Sequence, residues 1–557
     1  MSVTSRMLLL VRAWPWLLAL LVLAPVLAPG YVLSYDMVFV PDLAMRSDFL
    51  GLGSGLPRAV PSDAVVAVLD EVLPGMVLQK VVLFGALVLA GTGARRLVPG
   101  GSPVAQLAAT SLYVWNPYVA ERLVIGHWPT LLAYAALPFV VDAGRRWRDG
   151  ERALPALVLW LLLGALSPAG GVVTGVAALV FGLRRPQAAQ GRNLALLGAV
   201  AAVNAPWVVA GLLHAGAAVT DPVGAEVFAA GPEGRLPTVF AVLGLGGVWN
   251  AEVVPASRLG MLGWVSLVVV VALCAAGARS WWSAVDRRTR WGTVVCAGLG
   301  LTVALAGSLA PHIMAALVAE VPGGGLLRDG SRFLPLLAIG EAALFGSGAA
   351  VVAGLLRDRT ARRALAVGGV LVPLAMLPDL ALGVGGRLQP VAYPPAYAAG
   401  RSALDQQRGG GGGDVLVLPF TSYRAPAWNG GRRVLDPLGR YLDVNYVASD
   451  VLSVSGKALA GEDPRVRAAA RALDLGSAAR RSTALAQLGI GYVVTDRAAA
   501  GTGAGIEVVT LDGPVTRKSP ALHAWIALAA AWSVWLLSMA VAGVLTLRQR
   551  RLRKFRR

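Results

Sequence analysis

The reading of the chain turns on residues 7–36, MLLLVRAWPWLLALLVLAPVLAPGYVLSYD. A single arginine interrupts an apolar run longer than the roughly 20 residues needed to cross a hydrocarbon core, and an acid, Asp36, stands where the run ends. The run is too long for the apolar core of a cleaved leader and closes on no small-residue cleavage pattern. It is therefore expected to persist as a first membrane span. The rest of the chain repeats the theme: of 557 residues, 56% are hydrophobic and 15% charged, whereas about a quarter are charged in soluble globular domains. A soluble globular fold is excluded, and a polytopic α-helical protein of the plasma membrane is expected.

Runs of spanning length predict about twelve transmembrane helices, at 7–33, 76–94, 102–120, 128–142, 154–167, 169–183, 193–213, 260–278, 292–311, 331–355, 364–385 and 521–547. Two of them, 154–167 and 169–183, are short and broken at Ser167-Pro168 and Gly170-Gly171, a pattern that suits a hairpin stopping short of the far side. The net charge of +19 (50 basic against 31 acidic residues) raises the question of nucleic acid. The arginines, however, fall in short clusters between apolar runs: Arg95 and Arg96; Arg145, Arg146, Arg148 and Arg152; Arg184, Arg185 and Arg192; Arg279, Arg287, Arg288 and Arg290; Arg357, Arg359, Arg362 and Arg363; and the tail from Arg548 to Arg557. That is an orientation signal, with both termini cytoplasmic, and nucleic acid is not an expected partner. Cys274 and Cys296 lie in apolar runs, which excludes a disulfide framework.

The expected organisation is a transmembrane domain over 1–385, a small α/β extracytoplasmic domain over 386–519, a last helix over 520–547 and a basic cytoplasmic tail over 548–557. In 386–519 hydropathy falls, strand-like runs occur at 415–419 and 492–496, and helical patterns occur at 465–473 and 482–488, after a glycine run at 409–413. The first outer loop, 34–75, is acidic, and 61–73 reads as an amphipathic helix at the interface.

Three polar groups gather at the outer ends of the spans. Asp36 follows the first, and an acid beside a cavity can act as general base on a hydroxyl; a solvated helix-end residue is the plain alternative. Trp115-Asn116-Pro117-Tyr118 is followed by Glu121, Arg122 and His127, three ionisable groups near hydrocarbon depth that need partners. Arg328-Asp329-Gly330-Ser331-Arg332-Phe333 puts two guanidiniums on the face where the orientation rule disfavours them, which a phosphate or an internal pair with Asp329 would explain. No phosphate-binding glycine loop, no HExxH and no paired Cys/His ligands occur, and the four histidines are scattered.

An acid after the first span, a long first loop with an amphipathic helix, about a dozen spans and a late α/β domain together resemble the GT-C superfamily of glycosyltransferases. The Trp115-Asn116-Pro117 turn, the Arg332-Phe333 start of a late span and the stretch LAQLGIGYVVTD at 485–496 narrow the resemblance to the arabinofuranosyltransferases of actinobacterial cell walls. The resemblance implies an enzyme that moves a sugar, arabinofuranose or mannose, from a polyprenyl-phosphate donor to an envelope glycan or glycolipid on the outer face. In it Asp36 corresponds to the catalytic acid, with Asp42 and Asp48 as rivals and Glu121, Arg122 and His127 as acceptor-binding alternatives. Arg328 and Arg332 would hold the donor phosphate. Some members of that group use a divalent cation; the sequence offers no dedicated site, and no cofactor or metal is expected. The competing class is a non-enzymatic flippase or exporter of lipid or polysaccharide, for which Glu341 is the main charged residue within a span, or a catalytically inactive scaffold.

Overall fold

The computed structural model describes residues 3–184, 186–215, 221–409, 412–454, 456–516 and 519–555. Arg185 of one basic cluster, Gly410 and Gly411 of the glycine run, and Arg556 and Arg557 of the tail lie outside the described residues.

Among the described residues seven helices are long and apolar enough to cross a membrane, or eight if the pair Arg359–Met376 and Pro378–Gly386, bent by 71°, is one span. The chain is thus a multi-pass membrane protein. The remaining segments of the expected twelve fall short for visible reasons. Residues 102–120 break into Pro103–Val114 and Pro117–Val124. Trp128–Arg148 carries Asp142 and three arginines towards its end. Leu154–Gly164 and Pro168–Gly182 are short and joined by a tight turn that Ser167 caps through the Gly170 N–H. The first helix also ends early, at Leu23, and residues 24–33 leave it.

The break at 115–116 is built into its residues. Pro117 has no N–H to continue the first helix and fits the first turn of the next. Asn116 serves both ends: its side-chain oxygen accepts from the Val119 N–H at 3.1 Å, and its amide donates to the Leu112 and Tyr113 carbonyls at 2.8 and 3.1 Å. The carbonyls freed by the break thus find a donor. Trp115 donates to the Leu377 carbonyl at 2.8 Å, joining this break to the bend of the later pair.

The helix Pro335–Gly354 is the axis of the body: 72% of its apolar window is buried, against 22–50% in the other candidate spans. It meets Met261–Ala284 backbone to backbone. A Cβ on Gly348 would lie 1.8 Å from the Leu273 carbonyl oxygen, and one on Gly277 2.1 Å from that of Leu344. Small residues allow this approach in a lipid setting, where packing rather than water exclusion holds helices together. The axis fixes what precedes it, the turn Gly330–Phe333 that carries Arg332.

The α/β unit is organised on a four-stranded sheet in the order Ile506–Thr510, Ile490–Asp496, Asp414–Leu418, Tyr446–Val447. The central pair, Asp414–Leu418 and Ile490–Asp496, is parallel, and the Ile506–Thr510 edge is antiparallel. Val415, Leu416 and Val417 are all buried, because both faces are covered. Val415 and Val417 pack with Tyr397, Leu404 and Leu438 on one side, and Leu416 packs with Val466, Ala469 and Leu485 on the other. The unit is stitched to the body by backbone: Tyr31–Val32 pairs antiparallel with Pro390–Val391, and Tyr35 bridges to Val434.

Asn116→Ala should cost about 2–3 kcal/mol, the sum of a lost helix cap and two carbonyls left without a donor. Asn116→Asp, which keeps the cap acceptor and loses the amide donors, should recover only the cap share. Thermal melting in detergent measures both; equal melting of wild type and the alanine variant would mean that the break is held by packing alone.

Candidate functional site

The site forms where the turn 34–37 is gripped from both sides. From the helical body, Ser34 Oγ donates to the Val124 carbonyl at 2.5 Å and the Asp36 N–H donates to the Ile125 carbonyl at 3.1 Å. From the α/β unit, the Arg433 carbonyl accepts from the Tyr35 N–H at 2.8 Å, and the Leu435 N–H donates to the Tyr35 carbonyl at 2.9 Å. Tyr35 is held at φ +44°, a left-handed conformation that side chains avoid, and such strain persists only where the surroundings impose it. Gly126, at φ +82°, lies beneath the turn; a Cβ there would sit 2.3 Å from the Met37 nitrogen and 2.6 Å from the Ser34 carbonyl oxygen. Asp36 is therefore aimed by backbone, in a cleft crowded by protein yet with 40% of its side chain open to solvent.

A chain of polar contacts leads from Asp36 into the body. His127 Nε2 is 3.1 Å from Asp36 Oδ2, and His127 Nδ1 is 2.9 Å from Arg122 Nη1. A guanidinium only donates, so Nδ1 must accept, the ring proton sits on Nε2, and His127 donates to Asp36. Arg122 is fully buried and also reaches Asp329 Oδ2 at 3.4 Å and the Ser331 hydroxyl. Asp329 is the hub: Ser331 donates to its Oδ1 at 2.6 Å, and Arg332 Nε donates to its Oδ2 at 2.8 Å. The opposite side of Asp36 belongs to the α/β unit, where the Tyr423 hydroxyl donates to Oδ1.

These contacts set the charges. Burial raises the Asp36 pKa, but the His127 and Tyr423 hydrogen bonds and the nearby Arg332 charge outweigh it and hold the carboxyl below the ordinary range. Burial, and next the Arg332 charge, lower His127, so the ring is neutral at neutral pH, in agreement with the tautomer that Arg122 imposes. Asp329 is ionised throughout: burial opposes this, and Arg122 and Arg332 overcome it. Arg332 spends only Nε on Asp329. Among the described residues its two Nη groups have no hydrogen-bond partner, the side chain is 36% exposed, and its charge acts on Asp36, His127 and Tyr423 alike.

Of the candidates from sequence, the structure gathers Asp36, Arg122, His127 and Arg332. It disperses the others. Asp42 pairs with Arg401 at 2.8 Å, and Asp48 pairs with Arg46 at 2.7 Å. Glu121 is buried beside Glu233, which is itself paired with Arg258 at 2.6 Å. Arg328 is close to Arg332, but its guanidinium is taken by Glu462 at 2.7 Å, and Glu462 also holds Arg58 at 2.5 Å. Sequence reasoning missed Tyr423 as a site residue and treated Asp329 only as a competitor for Arg332. Nothing around Tyr423 in sequence marks it; the docking of the α/β unit alone brings it 387 positions back to Asp36. Among the described residues no group of three or more His, Cys, Asp or Glu side chains is placed to hold a metal ion.

No family model and no curated protein matches the chain. Among solved structures, its fold is similar to the cryo-EM structure of the arabinofuranosyltransferase AftD from Mycobacteria, with a TM-score of 0.52 and 17% identity over 89% of this chain and 35% of that one. A mutant of the same enzyme gives a TM-score of 0.52 and 18% identity over 89% and 37%. This chain thus spans little more than a third of the length of the solved chains. The likeness establishes the fold: most of the chain follows the architecture of part of that solved enzyme.

Asp36 and His127 both have folded-state pKa values below those of the unfolded chain, about 3.9 and 6.5, so the unfolded chain takes up protons first as pH falls. Stability conferred by the pair is complete above about pH 6.5, declines first through His127 and then, near and below pH 4, through Asp36. His127→Gln should flatten the upper part of that decline and leave the lower part. Melting temperature against pH for wild type and variant is the measurement; parallel curves from pH 7 to 5 would show that His127 does not titrate on unfolding.

Proposed function

We propose that the chain is a membrane glycosyltransferase that transfers a sugar from a polyprenyl-phosphate donor to an envelope glycan or glycolipid, with Asp36 as base. The observation that carries this reading is an ionised, solvent-reachable carboxylate, Asp36, lying within the field of a half-committed guanidinium, Arg332. In the reaction an acceptor hydroxyl gives its proton to Asp36 while its oxygen bonds to the anomeric carbon. The bond from that carbon to the phosphate oxygen breaks, and polyprenyl phosphate leaves with one more negative charge. Arg332, through its free Nη groups, suits that growing charge. His127 and Tyr423 keep Asp36 oriented and ionised; each carboxylate oxygen has a further lone pair for the incoming hydroxyl. The fold likeness to an arabinofuranosyltransferase supports arabinofuranose as the sugar, with mannose as the second choice. The reading includes an orientation: both termini cytoplasmic and the cleft, with the α/β unit of 386–519, on the outer face, as the arginine clusters require. The flippase or exporter reading draws only on Glu341, a single acid in the axial helix, which is too little for a pathway.

With purified full-length protein, radiolabelled polyprenyl-phosphate sugars and envelope acceptors, Asp36→Asn should lower transfer by about 100-fold or more, since a general base is worth that much, without loss of fold. Asp42→Asn and Asp48→Asn should retain turnover, because those acids are tied to Arg401 and Arg46. Wild-type turnover in Asp36→Asn would remove the base from this position. Arg332→Ala should weaken donor binding by about 2 kcal/mol and Arg332→Lys by part of that, because an ammonium cannot reproduce a two-pronged contact; unchanged affinity in Arg332→Ala would confine the residue to its pair with Asp329.

The orientation has a separate test. A protease added to cells stripped of their wall should cut near 409–413, where the glycine run leaves the helix Pro395–Arg408. Protection there, with cleavage only in inverted vesicles, would overturn the outer-face assignment.

A further inference from the structure

The opposite end of the helical body carries a second feature that the proposed transfer does not use. The helix Trp128–Arg148 has His127 at one end and Arg148 at the other, and its 21 residues separate the two ends by about 30 Å, roughly the thickness of a hydrocarbon core. At the Arg148 end, a cavity of about 440 Å³ opens between the ends of Trp128–Arg148 and Pro168–Gly182 and the start of Arg287–Leu309. Its lining is mixed. It combines the guanidinium side chains of Arg148, Arg184 and Arg288 with the apolar Val180, Leu183 and Val295 and with Trp291.

The three guanidiniums are not equivalent. Arg148 is buried and neutralised, 2.9 Å from Asp149 and 3.3 Å from Asp286. Arg184 and Arg288 have no side-chain hydrogen bond or ion pair among the described residues, although both face the cavity. Asp286 is already engaged by Arg148, by the Thr289 hydroxyl, and by the N–H groups of Arg288 and Thr289. Two unpaired cations thus line one concavity together with apolar side chains. The level in the membrane is marked independently: Trp282 and Trp291 are 39% and 53% exposed and stack edge to face there, as indoles do at the headgroup boundary. Below them the helix Arg287–Leu309 presents Val294, Val295 and Leu299 outward, each more than 40% exposed, a surface for an acyl chain.

We propose that this cavity binds the headgroup of an anionic phospholipid, with the phosphate between Arg184 and Arg288 and an acyl chain along Val180, Val295 and Leu299. Charge complementarity and the apolar lining select a lipid over a free phosphate, which would use the cations and leave the apolar side chains idle. The site lies in the leaflet away from the Asp36 cleft, and the proposal stands apart from the transfer reaction.

The test is native mass spectrometry of the purified full-length protein titrated with phosphatidylglycerol, phosphatidylcholine and inorganic phosphate. Wild type should retain phosphatidylglycerol in preference to phosphatidylcholine. R184Q/R288Q should weaken that binding roughly thirty-fold, two cations at about fivefold each for charges near a lipid surface. R288Q alone, on an exposed side chain that leaves the fold undisturbed, should lose about fivefold. R548Q/R550Q in the last helix should bind like wild type, because neither side chain lines the cavity. The proposal is overturned if the double variant keeps phosphatidylglycerol like wild type, if phosphatidylcholine binds equally well, if inorganic phosphate displaces the lipid, or if the R548Q/R550Q control loses as much.

Discussion

The structure depends on a guanidinium with no access to water. Arg122 is fully buried in the helical body, and a buried charge is tolerated only when it is paired. Its partners determine the surroundings. Asp329 must come from the turn before the axial helix, Ser331 must turn its hydroxyl inward, and His127 must present Nδ1 as an acceptor. That last demand fixes the imidazole proton on Nε2 and directs it at Asp36. One desolvated charge thus ties the 122–127 segment to the turn 329–331 and, through a neutral histidine, sets the orientation of Asp36.

The cleft belongs to neither half of the molecule alone. The body supplies His127 and Arg332, and the α/β unit supplies Tyr423 and half of the backbone grip on Tyr35. The seam between them carries aromatic contacts as well as ion pairs: Arg58 with Glu462, Arg328 with Glu462, Arg440 with Asp63, and Arg401 with Asp42. Ion pairs of this kind are oriented contacts rather than strong ones when exposed. The lasting connection is the backbone pairing of Tyr31–Val32 with Pro390–Val391, which holds the unit over the turn and keeps the strained Tyr35 in place. Any loosening of the seam would dissolve the Tyr423 contact and free Asp36 together.

The two ends of the body are chemically distinct. At the Asp36 end, arginines are paired with buried or half-buried acids, and Arg332, part-exposed, keeps both Nη groups without a hydrogen-bond partner among the described residues. At the other end two cavity arginines, Arg184 and Arg288, have no side-chain hydrogen bond or ion pair among the described residues.

Sequence by itself determined what depends on composition and local pattern. The apolar runs made this a multi-pass membrane protein, the Asn-Pro dipeptide required a helix break, and the strand runs near Val415 and Tyr492 marked the α/β unit. Glu121, Arg122 and His127 stood out because charges near hydrocarbon depth need partners, Arg328 and Arg332 because the orientation rule disfavours them on that face, and Asp36 by its place after the first span. The number of spans was less legible, since hydropathy sums over a window and does not register a break at Asn116, a bend of 71° or a turn at Ser167. Only tertiary structure decided which carboxylate stands free. Asp36, Asp42 and Asp48 look alike along the chain, and what separates them is the partner each meets: Arg401 and Arg46 pair with two of them, while the third meets a neutral histidine and a tyrosine, neither able to cancel its charge. Tyr423 was beyond reach for the same reason. Its role lies in a contact spanning 387 positions, and no local property of a tyrosine in a loop encodes the surface against which it will fold.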